Sequence, residues 1–411
     1  MKINKHCFPN GLRLVHYEDT STQMVALNIV YDVGARDEHP EHTGFAHLFE
    51  HLMFGGSAHI PDYDTPLQLA GGENNAWTNN DITNYYLTVP KPNVETAFWL
   101  ESDRMLELAF SEQSLEVQRG VVMEEFKQRC LNQPYGDVGH LFRPLAFRVH
   151  PYRWPTIGKE LSHIEQATLD EVKSFFYRFY APNNAVLAVT GNISWDETVK
   201  LTEKWFAPIP RRDVPVRQLP QEPEQTQERR LTVERNVPLD ALFMGYHMCS
   251  REGADYYAFD ILSDILSNGR SSRLNRRLVQ EQNIFSGIDA YISGTRDAGL
   301  LQISGKPAAG VSLEQAEAAV RKELEELQWS PVDGQELEKV KNKFESTQIF
   351  GNINYLNVAT NLAWFELTGK AEDIDLEVER YRSVTTEQLH TVAQRTFCES
   401  NAVVLYYKSD K

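Results

Sequence analysis

Residues 43–56 read TGFAHLFEHLMFGG, and inside them His47, Glu50 and His51 make the spacing H-x-x-E-H. On a helix, His47 and His51 stack one turn apart on a single face, where both imidazoles can reach one ion. Glu50 borders that face without having to bind the ion. The spacing is the inverted zincin pattern, in which two His hold zinc and the Glu is general base toward the attacking water. With 12 His in 411 residues, chance would produce it roughly 0.03 times. Phe45, Leu48, Phe49, Leu52, Met53 and Phe54 supply an apolar setting. A Glu buried there between two His with no metal would be costly.

Working outward, a helix is expected from about Thr43 to Phe54, stopped by Gly55-Gly56. Residues 11–32 before it read as two strands. After it, a short helix near Pro66–Ala70 leads into GGENNAWTNNDITNYYLTVP, two strands around a polar Asn-Asn-Asp turn. Helical patterns fill 91–132. Thr168 opens a T-x-x-E capping box for a helix to Tyr180, Asn184–Thr190 is a buried strand, and a second box at Ser194 starts a helix through Phe206. Residues 207–230 hold five Pro and few large apolar side chains, the composition of a stiff, exposed linker.

Beyond the linker the pattern restarts. TLDEVKSFFYRFYAPNNAVLA (168–188) aligns without gaps on TTEQLHTVAQRTFCESNAVVL (385–405), which indicates an internal duplication. Under it, the His-bearing helix corresponds to FDILSDILSNG (259–269), with Asp260, Ser263 and Asp264 in place of His, Glu and His. The expected fold is α+β: two homologous domains, each an antiparallel sheet covered by helices. Residues 1–206 would be the zinc-binding catalytic domain, 207–230 the linker, and 231–411 the homologous domain without metal.

Composition narrows the function. A net charge of −17 argues against nucleic acid and would tend to attract basic ligands, though it says little about one site. Cys7, Cys130, Cys249 and Cys398 are scattered, with no C-x-x-C pair, and read as core thiols of a reducing compartment. The N-terminus has no apolar signal core and no stretch is apolar enough to span a membrane. The location expected is cytoplasmic, or periplasmic if a leader has been removed.

Catalytic zinc usually takes three protein ligands. LEVQRGVVMEEFKQ offers Glu116, Glu124 and Glu125. Positions 118, 121/122 and 125 share a helix face that Val121 and Val122 mark as inward, which favours Glu125 over Glu124, turned about 100° away.

HLFEHLMF, GGENNAWTNNDITNYY and QRGVVMEEF, in this order, resemble the pitrilysin/insulinase family of zinc metallopeptidases, in the small two-domain branch that includes mitochondrial processing peptidase. The resemblance implies that zinc is held by His47, His51 and Glu125, with Glu50 as the base. The family's E-R-x-x-x-x-x-E pattern ends on Glu125 and begins here on Gln118, a departure. The family's N-A-aromatic-T element falls on Asn75, Ala76, Trp77 and Thr78, an edge strand that pairs with an extended peptide.

One family element is missing. The second half normally supplies an Arg and, seven residues later, a Tyr, which help bind substrate and stabilise the tetrahedral intermediate. Val279 and Ser286 stand at those places. The resemblance therefore implies the zinc-bearing subunit of a heterodimer whose paralogous partner carries the Arg and Tyr, a homodimer being the other pairing. The competing readings are a non-catalytic scaffold or assembly subunit of the same fold, and a metal-binding protein without hydrolysis. His42 and His59 flank the motif off its ligand face and are assigned local roles. Ser271-Ser272 and His247 with Cys249 lack the context of a nucleophile.

Overall fold

The computed structural model describes residues 1–410. Residues 1–131, 154–220 and 349–376 form one compact unit, and 132–153, 221–348 and 377 onward form the other. Relative to a division at 207–230, two segments trade places: 132–153 joins the second unit and 349–376 the first.

The first unit is built on six strands, β1 (Ile3–Cys7), β2 (Arg13–Glu18), β3 (Met24–Tyr31), β4 (Glu73–Thr78), β5 (Thr83–Pro90) and β6 (Ala185–Gly191), in the order β1-β2-β6-β3-β5-β4. Strand β4 pairs antiparallel with β5 only, from Glu73 opposite Thr88 to Thr78 opposite Thr83, and ends the sheet. The second unit has five, β7 (Arg229–Arg235), β8 (Ala241–Met248), β9 (Phe285–Ile292), β10 (Gly299–Pro307) and β11 (Ala402–Ser409), in the order β7-β11-β8-β10-β9. The sheets are antiparallel except for one parallel pair in each, β2 with β6 and β7 with β11.

Both faces of each sheet are covered, so the central strands read as continuous apolar runs instead of alternating with polar residues. In β3, Val25, Leu27, Ile29 and Tyr31 join the core that includes Phe49, Phe98 and Phe176 from the helices of one face. Ala26 and Val30 point to the other face, covered by Val358, Ala359, Leu362 and Ala363 of the helix Tyr355–Thr368. The second sheet repeats this: one face carries the larger core, and Phe142 and Ala146 of the helix Val138–Ala146 cover Ala241, Leu300, Val403 and Leu405 on the other. Each sheet thus takes the cover of its second face from the opposite half of the sequence.

The duplicated segments match in their hydrogen bonding. The Thr168 and Thr385 side chains cap the helices Leu169–Phe179 and Thr386–Thr396 by accepting from the N–H groups of Glu171 and Gln388. Asn184 Nδ2 donates to Phe179 O (2.8 Å) and Asp32 O (3.1 Å), fastening helix end to neighbouring strand end. Asn401 Nδ2 does the same with Thr396 O (3.0 Å) and His247 O (3.1 Å).

Residues 207–230 lack regular structure up to β7, as their Pro content requires, but they are fastened instead of loose. Arg212 donates to the carbonyls of Tyr180 and Leu106 (both 2.6 Å), and Arg217 to Asp37 (2.6 Å). Glu222 accepts from the N–H groups of Arg148, Val149 and His150. All four thiols are free, but only Cys130 is buried, so the expectation of core thiols fails for Cys7, Cys249 and Cys398. Among the described residues no helix is long and apolar enough to cross a membrane.

Leu362 is fully buried against the first sheet. Leu362→Ala is expected to destabilise the first unit by about 2–5 kcal/mol, read as a lowered urea midpoint by a probe in residues 1–131; an unmoved midpoint would contradict the packing described.

Candidate metal centre

The helix Phe45–Leu52 has eight residues, too few to persist alone in water, and its position comes from its surroundings. Phe49 packs against Phe175, Phe176 and Tyr180, with ring centroids 5.5, 6.0 and 4.6 Å away. At the N-terminus, Gly44 has φ +88°, and a Cβ there would lie 2.6 Å from Ile164 Cδ1 and 2.8 Å from Ile157 O, so only glycine fits. The buried Glu38 carboxyl accepts from the N–H of Gly44 (3.0 Å) and of Ala46 (2.8 Å), which meets donors a helix start leaves without partners; burial pushes this carboxyl up to about 8 against the pull of those two N–H groups. Thr43 Oγ1 accepts from Lys159 N (2.8 Å).

A second helix, Glu112–Phe126, is capped by Ser111 and lies close against the end of the first. Ser114 Oγ donates to Gly55 O (3.3 Å), and any side chain at position 55 would overlap that hydroxyl. Leu115, Val122 and Phe126 are its buried positions. Val121, expected to face inward with Val122, is 46% exposed. The inward face is set by the i, i+7, i+11 line through 115, 122 and 126, and Val121 falls one residue off it.

The two helices bring His47, His51 and Glu125 together, with one ligand atom of each within 4.8 Å of the others. His47 Nε2 is 3.6 Å and His51 Nε2 3.4 Å from Glu125 Oε2. Those separations are long for hydrogen bonds. They match ligands at about 2.0–2.2 Å from one tetrahedral zinc, which stand roughly 3.3–3.5 Å apart. The ring centroids of His47 and His51 are 4.9 Å apart. Glu124 points away and is paired with Lys127 at 3.7 Å, while Glu116 is exposed beside Arg119.

Electrostatics favour the ligand forms. Burial pushes the His47 imidazole down to about 3, with His51 adding to the effect, so the ring is neutral. Burial also lowers His51, against the attraction of Glu125. His47 Nδ1 is buried without a hydrogen-bond partner, which leaves Nε2 as the atom turned to the other ligands. Glu50 is held apart from the three. Burial raises its carboxyl and a hydrogen bond from Thr78 counters it.

These groups sit on the wall of a cavity of about 540 Å³ in the first unit, lined also by Phe54, Asn75, Ala76, Trp77, Thr78 and Gln118. Along β4 exposure alternates, with Glu73, Asn75 and Trp77 outward, and Trp77 at 36% exposure is no core residue. Because β5 is the only partner of β4 among the described residues, one backbone edge of β4 is open on the cavity that His47, His51 and Glu125 line. His42 and His59 have local partners, Glu171 at 3.2 Å and Asp103 at 2.6 Å.

Residues 13–137 match the family model described as insulinase (peptidase family M16), and residues 166–344 match that of the peptidase M16 inactive domain. The chain belongs to the insulinase family, M16. Among M16 relatives, the zinc protease PqqE of Helicobacter pylori is 26% identical over 405 residues, covering 97% of this chain and 91% of that one. The uncharacterized zinc protease YmxG of Bacillus subtilis is 24% identical over 406 residues, covering 98% of each. A crystal structure of a protease from Helicobacter pylori superposes with TM-score 0.94 at 26% identity, covering 99% of both chains. In the second unit, the helix Tyr256–Ser267 occupies the place of the His helix in the duplicated M16 architecture. Its Asp260 accepts from Tyr381 Oη and its Asp264 from Asn268 Nδ2 (2.7 Å), so its polar side chains are met from within.

Sequence reasoning missed Glu38 and Arg129. Glu38 lies outside the usual capping offsets, six residues before the helix's own N-cap, and nothing in the chain flags it. Arg129 is four residues beyond Glu125 and pairs with it at 2.9 Å, a spacing that a search for helical ion pairs would have found.

Glu38→Ala would leave two helix-terminal N–H groups buried without acceptors, at about 1–3 kcal/mol each. A lower thermal midpoint together with weaker zinc uptake is the expected outcome; an unchanged midpoint would remove Glu38 from the support of the metal helix.

Proposed function

We propose that this M16 chain is a zinc-dependent endopeptidase acting on peptides or unfolded polypeptide segments. The observation that carries the reading is the meeting of two imidazoles and one carboxylate beside an open strand edge in one cavity. His47, His51 and Glu125 would hold the zinc. When bound, the ion supplies a Lewis acid that makes water more acidic and polarises a carbonyl oxygen.

The remaining steps belong to the protein's own groups. An extended peptide adds to the open edge of β4, and main-chain hydrogen bonds along Asn75–Trp77 fix its register independently of its sequence. Folded proteins cannot offer such an unpaired strand, which is why unfolded segments are the substrate class. Glu50 takes the proton from the attacking water and delivers it to the leaving nitrogen. Its burial keeps the carboxyl basic enough to hold that proton between the two events.

Val279 and Ser286 stand where the family pattern has its Arg and Tyr. Loss of such donors typically costs about 10²–10³-fold each. We place the chain as the zinc-bearing subunit of a heterodimer with a paralogous chain that carries the pair. Its four free thiols fit a reducing compartment.

Zinc content and cleavage of a quenched peptide, measured for the chain alone and with a co-purifying paralogue, test the reading. Zinc at one per chain with cleavage that rises on adding the partner is expected. Full activity of the chain alone would overturn the heterodimer, and zinc uptake with no cleavage in either case would overturn the peptidase. Glu50→Gln should retain zinc and lose about 10²–10⁴-fold in rate; a variant cutting at the normal rate would unseat Glu50 as the base.

A further inference from the structure

The repeat of 168–188 in 385–405 pairs Tyr180 with Phe397. The strand registers pair Tyr31, opposite Ala185, with Tyr246, opposite Ala402. In the first unit these positions lie around a cation supplied by the chain itself. Arg212 donates to the carbonyls of Tyr180 and Leu106 (both 2.6 Å), at the ends of the helices Leu169–Phe179 and Val94–Leu106, where helix dipoles favour positive charge. Its guanidinium stands 4.7 and 5.1 Å from the ring centroids of Phe176 and Tyr177.

In the second unit the helix Thr386–Thr396 repeats Leu169–Phe179, and Leu313–Trp329 follows β10 as Val94–Leu106 follows β5. The ends of these two helices border a cavity of about 460 Å³. Ala393 and Gln394 take the places of Phe176 and Tyr177, so the aromatic floor is gone. The carboxylates of Glu325 and Glu399 line the cavity instead, and neither has an ionic partner among the described residues. The cavity's own guanidinium groups are engaged, Arg230 with Glu317 (3.0 Å) and Arg321 with Glu317 (2.7 Å) and Glu228. Two cations set against two carboxylates leave the charge of Glu325 and Glu399 unbalanced on the wall. Tyr246 is 1% exposed yet reaches the same wall, and its hydroxyl makes no hydrogen bond to any described residue. Burial pushes this phenol well above its usual range, so it stays a neutral group with lone pairs to offer an N–H donor.

We propose that this cavity of the second unit binds a guanidinium group, held by the carboxylates of Glu325 and Glu399 and the hydroxyl oxygen of Tyr246. The duplicated scaffold then takes a guanidinium at the same place in both copies, from Arg212 in one and from a ligand in the other. A planar guanidinium presents paired N–H donors that match carboxylate oxygens, which suits the two Glu side chains. The ligand is a small guanidinium compound or the arginine side chain of a peptide, and a chain of net charge −17 draws both. The site shares no residue with the metal cavity, so it stands apart from the peptidase reading.

Cys398 lines the cavity and Cys7 is exposed in the first unit, which gives a reporter and an internal control. Alkylation of each thiol in the full chain is followed by peptide mass mapping, beside titration calorimetry. The probes are ethylguanidine, an acetylated tripeptide with a central arginine, and the same tripeptide with citrulline, whose urea group has the shape of a guanidinium without its charge. The guanidinium probes are expected to slow alkylation of Cys398 and not of Cys7, and the arginine tripeptide to bind about ten-fold tighter than its citrulline twin. Glu325→Gln together with Glu399→Gln should bring that ratio to about one, and Tyr246→Phe should weaken binding about three- to ten-fold. Equal binding by the citrulline twin, unslowed Cys398 with every probe, or an affinity unmoved by the double variant would overturn the proposal. Both carboxylates are exposed, so the double variant keeps its fold and decides the matter if Tyr246→Phe does not. Tighter binding of the tripeptide than of ethylguanidine assigns the site to an arginine side chain, and the converse or equality assigns it to a small compound; either result upholds the site.

Discussion

A helix of eight residues carrying two imidazoles and a carboxylate onto a half-buried cavity wall has no stability of its own. What makes it possible is the capture of its first N–H groups by the buried Glu38 carboxyl oxygens, which meet donors that a helix start leaves without partners. From that point the rest follows in order. Gly44 turns the chain into the helix, Phe49 anchors its buried side in an aromatic cluster, and Gly55 lets Ser114 approach. The Glu125 helix is then close enough for its carboxylate to stand at ligand distance from both rings.

The duplication clarifies what a metal site demands of this scaffold. Both units repeat the helix, the capping Thr, the bridging Asn and the strand order, yet among the described residues only the first gathers groups that could hold a metal ion. In the second, the Asp260 and Asp264 side chains are satisfied by Tyr381 and Asn268. In the first, His47 Nδ1 has no hydrogen-bond partner, and the imidazole nitrogens face Glu125 at distances too long for good hydrogen bonds. The same backbone thus carries a polar face whose side chains are met locally in one copy and three side chains gathered within ligand reach of one another in the other.

Much of this was legible in the sequence because it is local. The spacing of His47, Glu50 and His51, the capping Thr168, and the repeat of 168–188 in 385–405 are patterns of a few residues, and each appears in the structure as the element expected. Glu125 could be ranked above Glu124 because helical geometry alone turns one of them away. Val121 was misplaced because an exposed valine beside a buried one carries no signal of which will face the core. Glu38 escaped because its partners are backbone N–H groups, which every residue possesses. The trading of 132–153 and 349–376 between units was also invisible, since an amphipathic helix records that it has an apolar face but not which sheet that face will meet.

That trade has a consequence for how the molecule could ever be divided. A break in the backbone between 207 and 230 cuts the chain at its most irregular stretch, yet it would not yield two self-sufficient pieces. The fragment before the break lacks Val358, Ala359, Leu362 and Ala363, so Ala26, Val30, Val186 and Ala188 of its sheet would face water as a bare apolar surface. The fragment after it lacks Phe142 and Ala146 over Val403 and Leu405. Each sheet is a hostage of the other half's sequence, so a nicked chain would remain a single particle and a gene split at this point would have to express both parts together.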